Sequence, residues 1–144
     1  MSRIEEGIEI NCPVEKAFAF TTDAGNWNKW QSIIQEAEQT TPGPAGVGIT
    51  FRGTNRMMGR TMQWTASTTE YEPAKKFGKN ITSGSVLIEQ HNTYVPTEKG
   101  LRFTIAYDVK VNGFLMLMSP IIVSTMKKEL KKSLINLKQI LEVD

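Results

Sequence analysis

From Ser32 to Val111 apolar residues recur at every second position, and from Ser119 to Glu142 they recur at every third or fourth. The first period belongs to half-buried strands and the second to one amphipathic helix. In the helical stretch Ile122, Val123, Met126, Leu130, Leu134, Leu137 and Leu141 fall on one stripe. Lys127, Lys128, Lys131, Lys132 and Lys138 fall opposite it, while Ile121 and Ile135 lie off the pattern. Ser119 is placed to cap the first turn, and Pro120 suits the first helical position, where a missing N–H costs nothing. Such a helix is about 36 Å long, enough to cross a small domain. It demands an apolar surface of matching length.

The rest of the chain supplies that surface. Glu5 to Ile10 reads as a short strand. Pro13 opens a helix with Val14, Ala17 and Phe18 inward, and Asn11, Cys12 and Glu15 are placed for a capping box. Thr22 to Asn26 stops it, and Trp27 to Trp30 forms a second, very short helix. Strands are then predicted over Ile33–Thr40, around Val47, Ile49 and Phe51, and from Met62 through Trp64 and Ala66 toward Tyr71. Three more run over Phe77–Thr82, Val86–Val95 and Leu101–Val111, with Asn55 to Gly59 as an intervening turn. The order is strand, two short helices, six strands, long helix. Short connections favour an antiparallel meander. A sheet with one apolar face needs cover, and the terminal helix alone is long enough to give it. Because a twisted sheet curls, the helix lies in a trough that side chains need not fill.

Composition narrows the class. The chain has 144 residues, 40% of them hydrophobic, and a net charge of +2, which is too small to point to nucleic acid. One domain over 1–144 is expected. A lone cysteine, Cys12, rules out an intrachain disulfide and fits a reducing, cytoplasmic setting. A lone histidine, His91, argues against a protein-built metal site, and no cofactor is expected. MSRIEEGIEI lacks the apolar core of a signal peptide, and no apolar run reaches the length of a membrane span.

The element order and both ends of the chain resemble the helix-grip START/SRPBCC superfamily, in its polyketide cyclase/dehydrase-like branch. The stretches that carry the resemblance are Ile10 to Phe18, Thr22-Asp23, Asn26-Trp27-Asn28-Lys29-Trp30 and Leu137 to Glu142, with Gly113 and the Pro120-containing helix before the last. The resemblance implies an α+β fold: a seven-stranded curved antiparallel sheet wrapped around a long C-terminal helix, with two short helices after the first strand. It also implies an apolar cavity that binds a lipid, polyketide or isoprenoid-like molecule, in most members without a cofactor. A fold does not fix a function.

Periodicity fits a closed core without a ligand as well as a cavity; with the cavity that the resemblance implies, three functions are open. As a carrier, the chain lines its cavity with Trp30, Phe51, Met62, Trp64, Phe77, Phe103, Ile105, Tyr107, Met116, Ile122 and Met126. As a cofactor-independent cyclase or dehydratase, it uses His91, Tyr94 or Tyr107 to polarise a carbonyl. As an interaction protein, it docks a partner or a second copy through Met57-Met58 and Phe114 to Met118, residues that can also form a lid. His91 faces inward if Val95 pairs with Leu101, and a one-residue slip sends it to solvent. Arg52, Arg56 and Arg60 read as a solvated hairpin, and the helix lysines as a solvated face without the interleaved aromatics of a single-strand binder. Cys12 at a helix start is a candidate for a lowered thiol pKa.

Overall fold

The computed structural model describes residues 2–143, and at residue 114 the backbone alone. In chain order the elements are β1 (Ser2–Ile10), α1 (Val14–Thr22), α2 (Ala24–Trp30), β2 (Ile34–Gln39), β3 (Thr50–Met57) and β4 (Arg60–Glu72). Then come β5 (Lys76–Ser83), β6 (Val86–Pro96), β7 (Leu101–Val111), a 3-10 segment over Gly113–Met118 and α3 (Ser119–Leu141). Strands β2 to β7 form the meander expected from their short connections. The first strand adds to its far edge, giving the order β1-β7-β6-β5-β4-β3-β2 with every pair antiparallel.

The register decides which residues meet α3. Tyr107 sits opposite Ile4 on one side and Gln90 on the other, Gln90 opposite Lys79, and Lys79 opposite Thr68. Directly opposed residues share a face, so one row across five strands mixes apolar and polar side chains on the inner surface. From α3, Ile122, Met126, Leu130, Leu134, Leu137 and Leu141 are buried with Ser133, and Val123 is half-buried. Ile121 and Ile135, off the stripe in sequence, stay about half exposed at 50% and 54%.

The end of α3 is tied down by polar contacts. Lys16 donates to the Leu141 carbonyl at 2.9 Å, satisfying one of the unpaired acceptors of the last turn. The Glu142 carboxylate accepts from the Asn11 N–H at 2.9 Å and from Lys138 at 2.6 Å. Lys138 also reaches the Glu9 carbonyl at 2.8 Å. The start of the chain and the end of its last helix are thereby joined where β1 passes into α1.

Several local expectations are corrected. Ser119 caps nothing; it lies inside the helix, because the 3-10 segment runs straight into α3 and the cap position falls on Met118 without a side-chain bond. The capping box of α1 does not form either: Pro13 takes the cap position, and the Asn11 N–H is claimed by Glu142. Only Asp23 separates α1 from α2, its carboxylate accepting from the Gly25 N–H at 3.0 Å. The β3–β4 turn contracts to Met58 and Gly59, both at positive φ (53° and 76°), as a two-residue hairpin requires. Val47 is exposed, and β3 begins at Thr50.

The stripe makes a direct prediction. Leu137 is fully buried and Ile135, two residues away, is not. Leu137→Ala should lower unfolding free energy by about 2–5 kcal/mol, and Ile135→Ala by less than about 0.5 kcal/mol. Urea midpoints read at constant m-value decide it.

Candidate functional site

One end of the trough is filled solid. Trp27 is completely buried, donates its indole N–H to the Thr21 carbonyl at 2.7 Å, and packs against Phe51, Trp64 and Phe77 at centroid distances of 4.8, 6.3 and 6.4 Å. Tyr94 lies 5.0 Å from Phe103, and its hydroxyl pairs with that of Thr21 at 2.6 Å. Trp30 closes on Phe103 at 6.1 Å. Aromatic area of this kind is core packing.

Beyond this cluster the two layers part. A cavity of about 70 Å³ lies between α3 and the sheet, walled by Trp64, Lys79, Ile81, Ile88, Gln90 and Tyr107 from four strands and by Met126, Glu129, Leu130 and Ser133 from α3. Asn55 and the α2–β2 junction residues Gln31, Ile33 and Ile34 complete it. The cavity is partly open to solvent on one side, so it is a cleft rather than a sealed void. Gly53 helps to shape it: a β-carbon there would stand 2.2 Å from the Glu36 carbonyl and 2.5 Å from the Trp64 ring, so the indole lies across β3 only because that residue has none.

The walls carry more polar groups than a sealed core tolerates. Trp64 Nε1 and Asn55 Oδ1 are buried without a hydrogen-bond partner. Gln90 is satisfied by Asn92 at 2.9 Å. Lys79 is buried at 3% exposure, its ammonium 3.6 Å above the Trp27 ring. Burial pushes its pKa down from 10.5 to about 7, while the ring face, which favours a cation, pulls the other way. Burial also drives the Tyr107 hydroxyl upward, and raises Tyr94 to about 12 against hydrogen bonds to Thr21 and Asn92 that lower it.

Of the residues singled out as lining from sequence, Trp64, Tyr107 and Met126 meet at the cavity. Trp30, Phe51, Phe77, Phe103, Ile105 and Ile122 are buried in the core without lining it. Met62 is half-buried, and Met116 is 60% exposed. Met58, Leu117 and Met118 are exposed too, and none of these methionines lines the cavity. The side chain of Phe114 lies outside the described residues. Lys79, Gln90 and Asn55 escaped the sequence reading. A signal for Lys79 existed: with Phe77 inward, strand alternation sends Lys79 and Ile81 inward as well.

His91 lies on the outer face, because Pro96 rather than Val95 pairs with Leu101. Its Nδ1 is 2.6 Å from Glu70 Oε1, across Gly78, where any β-carbon would meet that oxygen at 2.7 Å. Ligand atoms of Glu89, His91 and Asp108 lie within 4.8 Å of one another, a spacing that suits a cation. Arg3 already occupies Asp108 at 2.9 Å and opposes one electrostatically. A larger hollow of about 770 Å³ also opens outward, around Glu36, Glu38, Arg52 and Thr54. Its charged groups are solvated, so the smaller inner cavity is the better place for an apolar molecule. Cys12 is buried and its pKa raised, first by desolvation, which is the reverse of an activated thiol.

A curved seven-stranded sheet closed on a long C-terminal helix, with a chamber between them, defines the helix-grip class. Residues 1–142 match the model of the family described as polyketide cyclase/dehydrase and lipid transport, and the chain belongs to that family. Among solved structures, the Zhui aromatase/cyclase from Streptomyces sp. R1128 superposes with TM-score 0.86 at 11% identity, over 98% of this chain and 93% of that one. A protein from Chromobacterium violaceum gives 0.77 at 16% identity over 100% of both chains, and Ara h 8.0201 gives 0.74 at 15% over 97% of each. At these identities the likeness speaks for the fold. No curated protein sequence matches the chain. No described helix is long and apolar enough to cross a membrane.

Lys79 sets a testable pH dependence. Its folded pKa is depressed to about 7 while the unfolded value stays near 10.4, so between these limits the unfolded chain holds more protons and stability rises with pH. Below pH 7 both states are charged and the full cost of burying the ammonium is present. Lys79→Met should therefore stabilise by about 3–5 kcal/mol at pH 6, the gain shrinking toward pH 10. Parallel denaturant titrations at the two pH values measure it.

Proposed function

We propose that this protein binds and carries a small hydrophobic molecule in the chamber between the sheet and α3. The observation that carries the reading is a cavity of about 70 Å³ between α3 and the sheet, mainly apolar in its walls and lined also by Lys79, Gln90 and Tyr107. Binding is driven by apolar burial at about 25 cal/mol per Å², less the cost of ordering. The cavity reaches solvent on the side of half-exposed Ile33 and Glu129, so a ligand larger than the inner space extends that way, with the flexible Met126 shifting to fit. The family's description, which includes lipid transport, supports the same reading.

A second reading, cyclisation or dehydration without a cofactor, rests on one specific observation. Tyr107, kept protonated, and Lys79, its pKa near neutrality, share the chamber as a potential acid and base. Under that reading Tyr107→Phe abolishes turnover and spares affinity. His91, on the outer face, belongs to neither reading.

The test is native mass spectrometry of the protein from its own host, followed by variants. A small molecule should travel with the wild type and with His91→Ala. Leu130→Trp, which fills the chamber from α3, should weaken its retention at least tenfold. Retention unchanged by Leu130→Trp in a folded variant places the guest elsewhere and ends the proposal.

A further inference from the structure

The lysines held by carboxylates, Lys76, Lys131, Lys132 and Lys138, are all on the surface or at its edge. Lys79 is the reverse case. It is buried, faces the chamber, and among the described residues forms no ion pair and no hydrogen bond; an aromatic ring is its counterpart. A buried ammonium without an anion is costly, and any apolar residue of similar length would pack the position better. The groups facing it are neutral on β4 and β6 (Thr68 and Gln90) and a phenol on β7 (Tyr107). On α3 the acidic neighbour is Glu129, whose carboxylate is taken by Ser32 at 2.5 Å and Lys132 at 3.8 Å. Among the described residues no protein anion is bonded to Lys79.

We infer that Lys79 anchors the carboxylate of the guest, which enters head-first, so that the ligand is a small amphiphilic acid rather than a neutral hydrocarbon or sterol. The acid's oxygens accept from Lys79 Nζ, and its apolar body lies against Ile33, Ile34, Met126 and Leu130. A carboxylate beside the amine restores its proton, so binding above neutral pH takes a proton from solution. The inference rests on the carrier reading and specifies its ligand.

The experiment is titration calorimetry of the full chain with 3-phenylpropanoate and its neutral isostere 3-phenylpropanamide, at pH 8 in two buffers of different ionisation enthalpy. The acid should bind at least tenfold more tightly than the amide and take up a proton that the amide does not. Lys76→Met, on the surface away from the chamber, should leave that uptake intact, whereas Lys79→Met should remove both uptake and preference by weakening the acid alone. Equal affinities for acid and amide in the wild type overturn the anchor and leave the carrier reading standing. Binding of neither overturns both. The wild-type comparison decides the matter even where Lys79→Met does not fold.

Discussion

The apolar stripe of α3 and the concave face of the sheet bury one another, and neither is tolerable in water alone. Leu130, Leu134, Leu137 and Leu141 are each at most 4% exposed, and a fully buried leucine contributes about 1.5–3 kcal/mol. The sheet's antiparallel register aims Phe103, Ile105 and Val109 at that stripe. The clasp of Lys16, Lys138 and Glu142 fixes where along the trough the helix sits. Its charged contacts are largely exposed, so they orient more than they stabilise.

From this packing the chamber follows. A straight rod cannot fill a curved trough evenly. Near the carboxyl end of α3, Leu137 and Leu141 meet the β1–α1 side with nothing between. Toward Met126 and Leu130 the layers separate, and the aromatic cluster around Trp27 seals one side of the gap. The gap's position is therefore a property of the fold, whereas its chemistry belongs to the few residues that reach it: Lys79, Trp64, Gln90, Tyr107, Asn55.

The same division explains what could be read in the sequence. Periodicity is a statement about faces, and it placed the stripe of α3, the seven strands and the terminal helix over the sheet. It could not place the wall of a cavity, because Phe51 and Phe77 have the same inward parity as Trp64 and differ from it only in what stands opposite. His91 shows the limit at single-residue scale. One step of register, Pro96 instead of Val95 opposite Leu101, moves it from the chamber to the outer surface. Lys79 was missed for another reason: lysine on a strand is ordinarily solvated, and that prior outweighed the parity set by Phe77 and Ile81. The α1 cap failed because Glu142 claims the Asn11 N–H, a long-range fact with no local signature, and the α3 cap because the 3-10 segment runs straight into the helix.

A residue that contradicts its surroundings is the most informative kind. Met62 or Ile88 can be exchanged for another apolar residue with little change in meaning, since cores accept many fillings of equal volume. An ammonium held over an indole at 3.6 Å admits fewer explanations. It weakens the empty protein, and the loss is offset when something of opposite charge occupies the space beside it. The cation–π contact with Trp27 moderates the cost without removing it, and so keeps the amine ready rather than satisfied. An amine left in that condition lowers the stability of the unliganded fold; if the guest is an acid, the same linkage raises its affinity, and pH then acts on both through this one side chain.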